Sequence, residues 1–258
     1  MMNRLDSIKN IRSRLKNGGL SVGSWMQLSD SSVAEIMGAS NFDWVAVDME
    51  HGNISHHELP NIFRALELGN TLPLVRVAEG EPRDCKQALD AGAGGVIIPM
   101  VESADQLIAV RDACCWPPAG TRGVAFSRAN LFGKNFEAYQ IESQQPLLIA
   151  MIENIRALNN IEEILLVEGL DAILIGPYDL SASLGLTADF EHPDFLLARN
   201  TILSHAKEKN IAAGIHVVNP SSSELKSRVN EGYRFLAYSI DSVMLRKETE
   251  QDLSFILN

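Results

Sequence analysis

Basic charge is scarce in this 258-residue sequence: 22 Lys and Arg stand against 33 Asp and Glu, a formal net charge of −11. Nucleic-acid binding needs clustered cations, so this balance argues against such a partner. Cysteine is scarce as well. Cys85 and the adjacent Cys114-Cys115 make neither a C-x-x-C pair nor an even-numbered framework, which excludes a disulfide scaffold and a thiolate zinc site. They read as reduced thiols in a cytoplasm. No run approaches the roughly 18 consecutive apolar residues of a membrane helix. The opening "MMNRLDSIKNIRSRLKNGG" has no apolar core, so it reads as a short amphipathic helix ended by Gly18-Gly19, not as a signal peptide.

What is present is an ordinary globular composition, 46% hydrophobic and 21% charged, sufficient for a sizeable core without metal or disulfide staples. Eight short apolar runs rich in Val, Ile and Leu recur at 19–28, 43–49, 72–77, 94–100, 146–152, 171–177, 212–218 and 234–240. They do not alternate, as strands buried on both faces should not. Between them lie windows such as "SSVAEIMGAS", "EPRDCKQALDAG" and "PSSSELKSRVNEG", with helical apolar spacing, Ser, Asp or Pro openings and Gly or Asn closings. Eight β–α repeats predict a (β/α)8 TIM barrel with an N-terminal helix, in one domain over 1–258. A doubly wound sheet would expect a glycine-rich loop after the first strand, and "SWMQLSDSS" is none. The one long irregular stretch, 114–135, reads as a functional loop.

Chemistry in such barrels gathers at the C-terminal ends of the strands. Those ends carry Trp25, then Asp48-Met49-Glu50-His51, Arg76, Pro99-Met100, Glu153, Asp179, His216 and Tyr238-Ser239. Charges delivered straight off apolar strands are normally paired or bound to a metal. None of the eight lysines sits on or just after such a strand, which disfavours a Schiff base. Glu153 and Asp179, on neighbouring strand ends, suit a hard divalent cation that takes its other ligands from water and substrate. Arg76 offers a fork for a substrate carboxylate, and a histidine two strands away moves a proton. Together these describe enolate chemistry on a 2-oxo acid. Singly, each residue has a plainer reading. Glu153 and Asp179 serve equally as first-turn helix acids, Asp48 as a loop cap, Arg76 as the structural partner of Asp48 or Glu50, and Trp25 as a wall. His56 and His57 read as solvated, and His216 falls in or near the mouth without an assigned role. Convergence carries the functional reading.

At "FDWVAVDMEHG", "LPLVRV", "GGVIIPMVESADQ", "WPPAGTRGV" and "VEGLDAILIGPYDLSASLG" the chain resembles, over nearly its whole length, the metal-dependent class II pyruvate aldolases of the HpcH/HpaI family. The resemblance implies a TIM barrel and a lyase cleaving a 4-hydroxy-2-oxo acid into pyruvate and an aldehyde. It implies Glu153 and Asp179 as ligands of Mg2+, Mn2+ or Co2+, Arg76 on the pyruvate carboxylate, His51 as acid/base, and Asp48 ordering nearby water. It makes Asp90, in "QALDAGA", the acid that orients the histidine of a neighbouring subunit. Trp25, Met151, Gly176, Pro177 and Tyr178 would line the substrate site. A homo-oligomer, trimer or hexamer, with an exchanged last helix is implied too. One position departs. The family commonly has glutamine two residues before the glutamate ligand, and here Met151 stands there; a thioether cannot donate a hydrogen bond to bound pyruvate. The same site would also suit oxaloacetate decarboxylation, or a non-catalytic barrel that only binds a 2-oxo acid.

Overall fold

Each apolar run is followed by a helix that carries the chain back, so the strands can pair only in parallel. The structure, a computed structural model, describes residues 2–250. In it β1 (Ser21–Met26), β2 (Trp44–Asp48), β3 (Leu72–Arg76), β4 (Gly95–Ile98), β5 (Leu147–Ile152), β6 (Ala172–Ile175), β7 (Ala212–Val217) and β8 (Phe235–Ile240) follow in order round a closed barrel. All eight expected strands are present.

The helices begin and end where side chains satisfy their free backbone groups. Asp30 Oδ1 accepts the Ser32 N–H at 2.7 Å to open α2 (Ser31–Gly38), and Ser103 and Ser221 open α5 (Ala104–Cys114) and α11 (Ser222–Glu231). Gly92, with φ 108°, closes α4 (Pro82–Ala91) in a left-handed conformation that glycine adopts without strain. The apolar window 154–169 forms two helices: Asn154 caps α7 (Ile155–Asn159), and Asn160 separates it from α8 (Ile161–Ile164). Pro177 at the first helical position turns the chain straight from β6 into α9 (Pro177–Ser183), a helix the apolar pattern did not announce. In chain order the other helices are α1 (Arg4–Lys16), α3 (Leu59–Leu68), α6 (Phe136–Glu142), α10 (Pro193–Glu208) and α12 (Asp241–Thr249). An exchange of the last helix concerns a segment whose end lies outside the described residues.

Two large apolar clusters divide the core, and a third, small one holds Trp116, Ala129 and Tyr139. The largest lies between strands and outer helices; the second fills the barrel itself. Inside, Trp44 stacks on Phe235 with ring centroids 4.4 Å apart, and Gly23 is glycine because a Cβ there would overlap the Trp44 indole. The N-terminal helix α1 covers the N-terminal ends of the strands. Its Ile8, Ile11 and Leu15 are buried with the barrel interior, and Arg12 forks onto Asp171 at 2.6 and 2.9 Å.

The stretch 114–135 follows α5, so it belongs to the same lower side. Arg122 meets Asp90 at 3.4 Å, Arg128 meets Glu67 at 2.6 Å, and Arg4 donates to the Ala129 carbonyl. It is also less irregular than expected, with a 3-10 turn at Arg128–Asn130.

Candidate active site

At the upper ends of the strands lies a cavity of about 310 Å3, lined by Trp25, Arg76, Met151, Gly176, Pro177 and Tyr178, all six expected at a substrate site. Asp179 and His51 line it too. Sequence reasoning passed over Gln27, and no residue of 114–135 reaches this cavity.

Arg76 ends β3 and is 7% exposed. Its Nε and Nη2 donate to Asp48 Oδ1 and Oδ2 at 2.8 and 2.6 Å, across the β2–β3 register that sets the two residues side by side. Nη1 lies 2.7 Å from Glu50 Oε2, an ion pair whose N–H is misdirected, since that oxygen has no hydrogen-bond partner. Asp48 takes two of the five guanidinium N–H groups, which leaves Nη1 and Nη2 protons for an incoming carboxylate. The guanidinium also lies 5.2 Å from the Trp25 ring centroid.

Asp48 is fully buried and saturated. Besides Arg76 it accepts Gln27 Nε2 at 3.0 Å and the backbone N–H groups of Glu50 and His51 at 3.1 and 3.3 Å. Burial pushes its carboxyl up, but Arg76 and these donors outweigh burial and hold it below the ordinary carboxylate range. With five protein donors on two oxygens, it grips Arg76 and the 48–51 turn.

Glu153 follows β5 and is 1% exposed. Its Oε1 accepts the Met100 N–H at 2.6 Å, which Met100 presents from a left-handed conformation, φ 49°. Its Oε2 is buried without a partner. Burial, with help from Glu50 and Asp179 and against the Met100 N–H and Arg76, raises the Glu153 carboxyl to about 7. Asp179, in the first turn of α9, is exposed and is not held in any side-chain hydrogen bond or ion pair among the described residues. Burial, with help from Asp48 and Asp179, also raises Glu50, although Arg76 and His51 lower it. Glu50 was not expected in this group, because its proximity to the β5 and β6 acids is spatial and leaves no local pattern.

Three mutually repelling carboxylates, two of them with an orphaned buried oxygen, are what a divalent cation relieves. Among the described residues no three His, Cys, Asp or Glu form a ready-made cage. The donor set therefore fits a hard cation that keeps positions for water and substrate oxygens.

His51 is exposed at the rim. Asp90 lies in the last turn of α4, at the opposite end of the strands from the mouth of its own chain, half-buried against Arg122. Burial raises its carboxyl, with Arg122 and Lys86 opposing. His216 lines the mouth beside Trp25, ring centroids 5.0 Å apart. Desolvation lowers it to about 4, outweighing its bond to the Ser239 carbonyl, so it is neutral near pH 7.

Known proteins resemble this chain over nearly its whole length. The family described as HpcH/HpaI aldolase/citrate lyase matches residues 21–247. A hydroxypyruvate/pyruvate aldolase of Roseobacter denitrificans is 34% identical over 92% of this chain and 93% of its own. A 2-keto-3-deoxy-L-rhamnonate aldolase of Shigella boydii is 35% identical over 94% of this chain and 91% of its own. The crystal structure of an HpcH/HpaI aldolase/citrate lyase family protein from Burkholderia cenocepacia superposes with a TM-score of 0.90 at 31% identity, covering 96% of this chain and 99% of that one.

Proposed function

Because this chain belongs to the HpcH/HpaI aldolase/citrate lyase family, we propose that it is a carbon–carbon lyase that reversibly cleaves a 4-hydroxy-2-oxo acid into pyruvate and an aldehyde. The carrying observation is that Glu153, with its unpartnered Oε2, lies against Gly176 and within electrostatic reach of Asp179 and Arg76, all three of which line the cavity. Glu153 and Asp179 hold a divalent cation, Mg2+, Mn2+ or Co2+, on which the family typically depends. When bound, that cation supplies the Lewis acidity that an enolate-forming cleavage requires.

The chain's own residues do the rest. Arg76, fixed by Asp48, binds the 2-oxo acid carboxylate through its remaining N–H groups. Trp25 and Met151 form the floor on which the donor's methyl end lies dry. His51 takes the proton of the C4 hydroxyl as C3–C4 breaks, and the enolate is protonated at C3 to release pyruvate. Asp90 orients the histidine of a neighbouring subunit in a homo-oligomer, trimer or hexamer. Exposed Val124, Phe126 and Phe132 on the lower loop support such association. The chain acts as one catalytic domain over 1–258, in the cytoplasm, in keeping with three free buried thiols.

The test is pyruvate release from a panel of 4-hydroxy-2-oxo acids and from oxaloacetate, by chelator-stripped and metal-loaded protein. Equal turnover with and without metal would falsify the mechanism. Turnover of oxaloacetate alone would make the protein a decarboxylase.

A further inference from the structure

His216 is held in one tautomer. Its Nε2 lies 3.0 Å from the Ser239 carbonyl oxygen. A carbonyl has no proton to give, so the hydrogen belongs to Nε2, and Nδ1 of the neutral ring keeps a bare lone pair. Ser239 is itself fixed. It takes a left-handed φ of 58°, its Oγ donates to the Val218 carbonyl at 3.0 Å, and the ladder between β1 and β8 slips beside it. Such a conformation in a serine persists only where the surroundings hold it. Among the described residues no donor reaches His216 Nδ1, and that atom is not among the buried polar atoms sealed from solvent. The lone pair therefore has access to solvent, on a residue that lines the mouth.

His216 also stands between two cavities. With Pro177, Tyr178 and Val218 it borders both the mouth and a neighbouring cavity of about 360 Å3, whose walls carry Arg199 and Glu224. Arg76 and Met151 belong to the mouth alone. A substrate with its carboxylate on Arg76 has its far half toward His216.

We propose that His216 is a specificity-determining residue for the aldehyde half of the lyase reaction. Its Nδ1 accepts a hydrogen bond from a hydroxyl on the carbon next to the aldehyde, and the rest of that chain passes Tyr178 into the second, polar cavity. The acceptor class is a hydroxylated aldehyde with a polar tail. This assignment rests on the lyase reading. An acceptor lacking that hydroxyl leaves the imidazole lone pair unpaired once water is displaced, which is the basis of discrimination.

The test compares kcat/KM for D-glyceraldehyde and propanal, two three-carbon aldehydes, with pyruvate and Mn2+. It uses the wild type, His216→Phe, which keeps a ring against Trp25 without the lone pair, and His216→Asn, whose amide oxygen still accepts. The preference for glyceraldehyde is expected to fall about tenfold in the Phe variant and to survive in part in the Asn variant. Deuterium exchange into the pyruvate methyl needs no aldehyde and reports an intact donor site. An unchanged preference in His216→Phe with normal exchange overturns the assignment and leaves the lyase reading standing. So does an equal fall in both variants, because the lone pair is then not the cause. Absence of exchange in the metal-loaded wild type removes the lyase reading and this assignment with it.

Discussion

Glu153 and Gly176 share one space: the Glu153 carboxylate occupies the place where a side chain at Gly176 would stand. A Cβ there would overlap Oε2 and come within 3.0 Å of Glu153 Cβ. Gly176 has φ −89°, an ordinary value, so the constraint is room and not backbone strain. Gly176→Ala is expected to keep the fold, displace the flexible end of Glu153, and weaken Mn2+ binding at least tenfold by calorimetry. Unaltered affinity would separate Glu153 from the cation.

Removing Arg76 should act on stability and on binding together. Arg76→Ala leaves Asp48 buried and uncompensated, which costs about 3–5 kcal/mol by urea unfolding. Arg76→Lys keeps the charge but loses the fork. It is expected to retain more stability and still raise the KM for pyruvate at least tenfold. Similar KM values in Lys variant and wild type would show that the fork is not what holds the carboxylate.

The two most strongly shifted groups of the site give opposite pH dependences. Glu153 is raised to about 7 against an ordinary 4.5, so the folded, metal-free protein holds a proton that the unfolded chain releases. Its contribution to stability therefore declines as pH rises from about 4.5 to 7. His216 is lowered to about 4 against an ordinary 6.5, so the unfolded chain holds the extra proton, and stability is lost as pH falls through that window. In metal-free protein, Glu153→Gln is expected to remove the decline and His216→Phe the rise. Denaturant midpoints between pH 4 and 8 read both.

Met151→Gln tests the departure from the family. Met151 is 5% exposed on the mouth floor. A glutamine there can donate to bound pyruvate and is expected to lower its KM by up to about tenfold, while burying an amide in the free protein costs about 1–2 kcal/mol. An unchanged KM would mean that the floor does not contact the donor's oxygens.

Much of this was legible before any coordinates, and the reason is the same throughout. Arg76 and Glu153 were visible because each closes an uninterrupted apolar run, where an unpaired charge is costly. Asp179 was visible for its neighbouring position, although a helix rather than a loop presents it. Gln27 carries no charge and adjoins Asp48 only across a strand pair, so nothing local marked it. Glu50 stood in plain view beside His51, but its coupling to Glu153 and Asp179 exists only once the barrel closes. The stretch 114–135 reads from the sequence as a functional loop, but no residue of it lines the mouth. Its side of the barrel follows from chain order, since a segment after α5 lies at the foot of the strands.

The helix α1 gives the substrate path a direction. With Ile8, Ile11 and Leu15 set against a barrel interior that Trp44 and Phe235 already fill, no passage runs through the barrel among the described residues, so substrate and products share the upper end of the strands. On the proposed reaction the aldehyde is expected to leave before pyruvate, which product-inhibition kinetics would read as pyruvate competitive against the hydroxy-oxo acid.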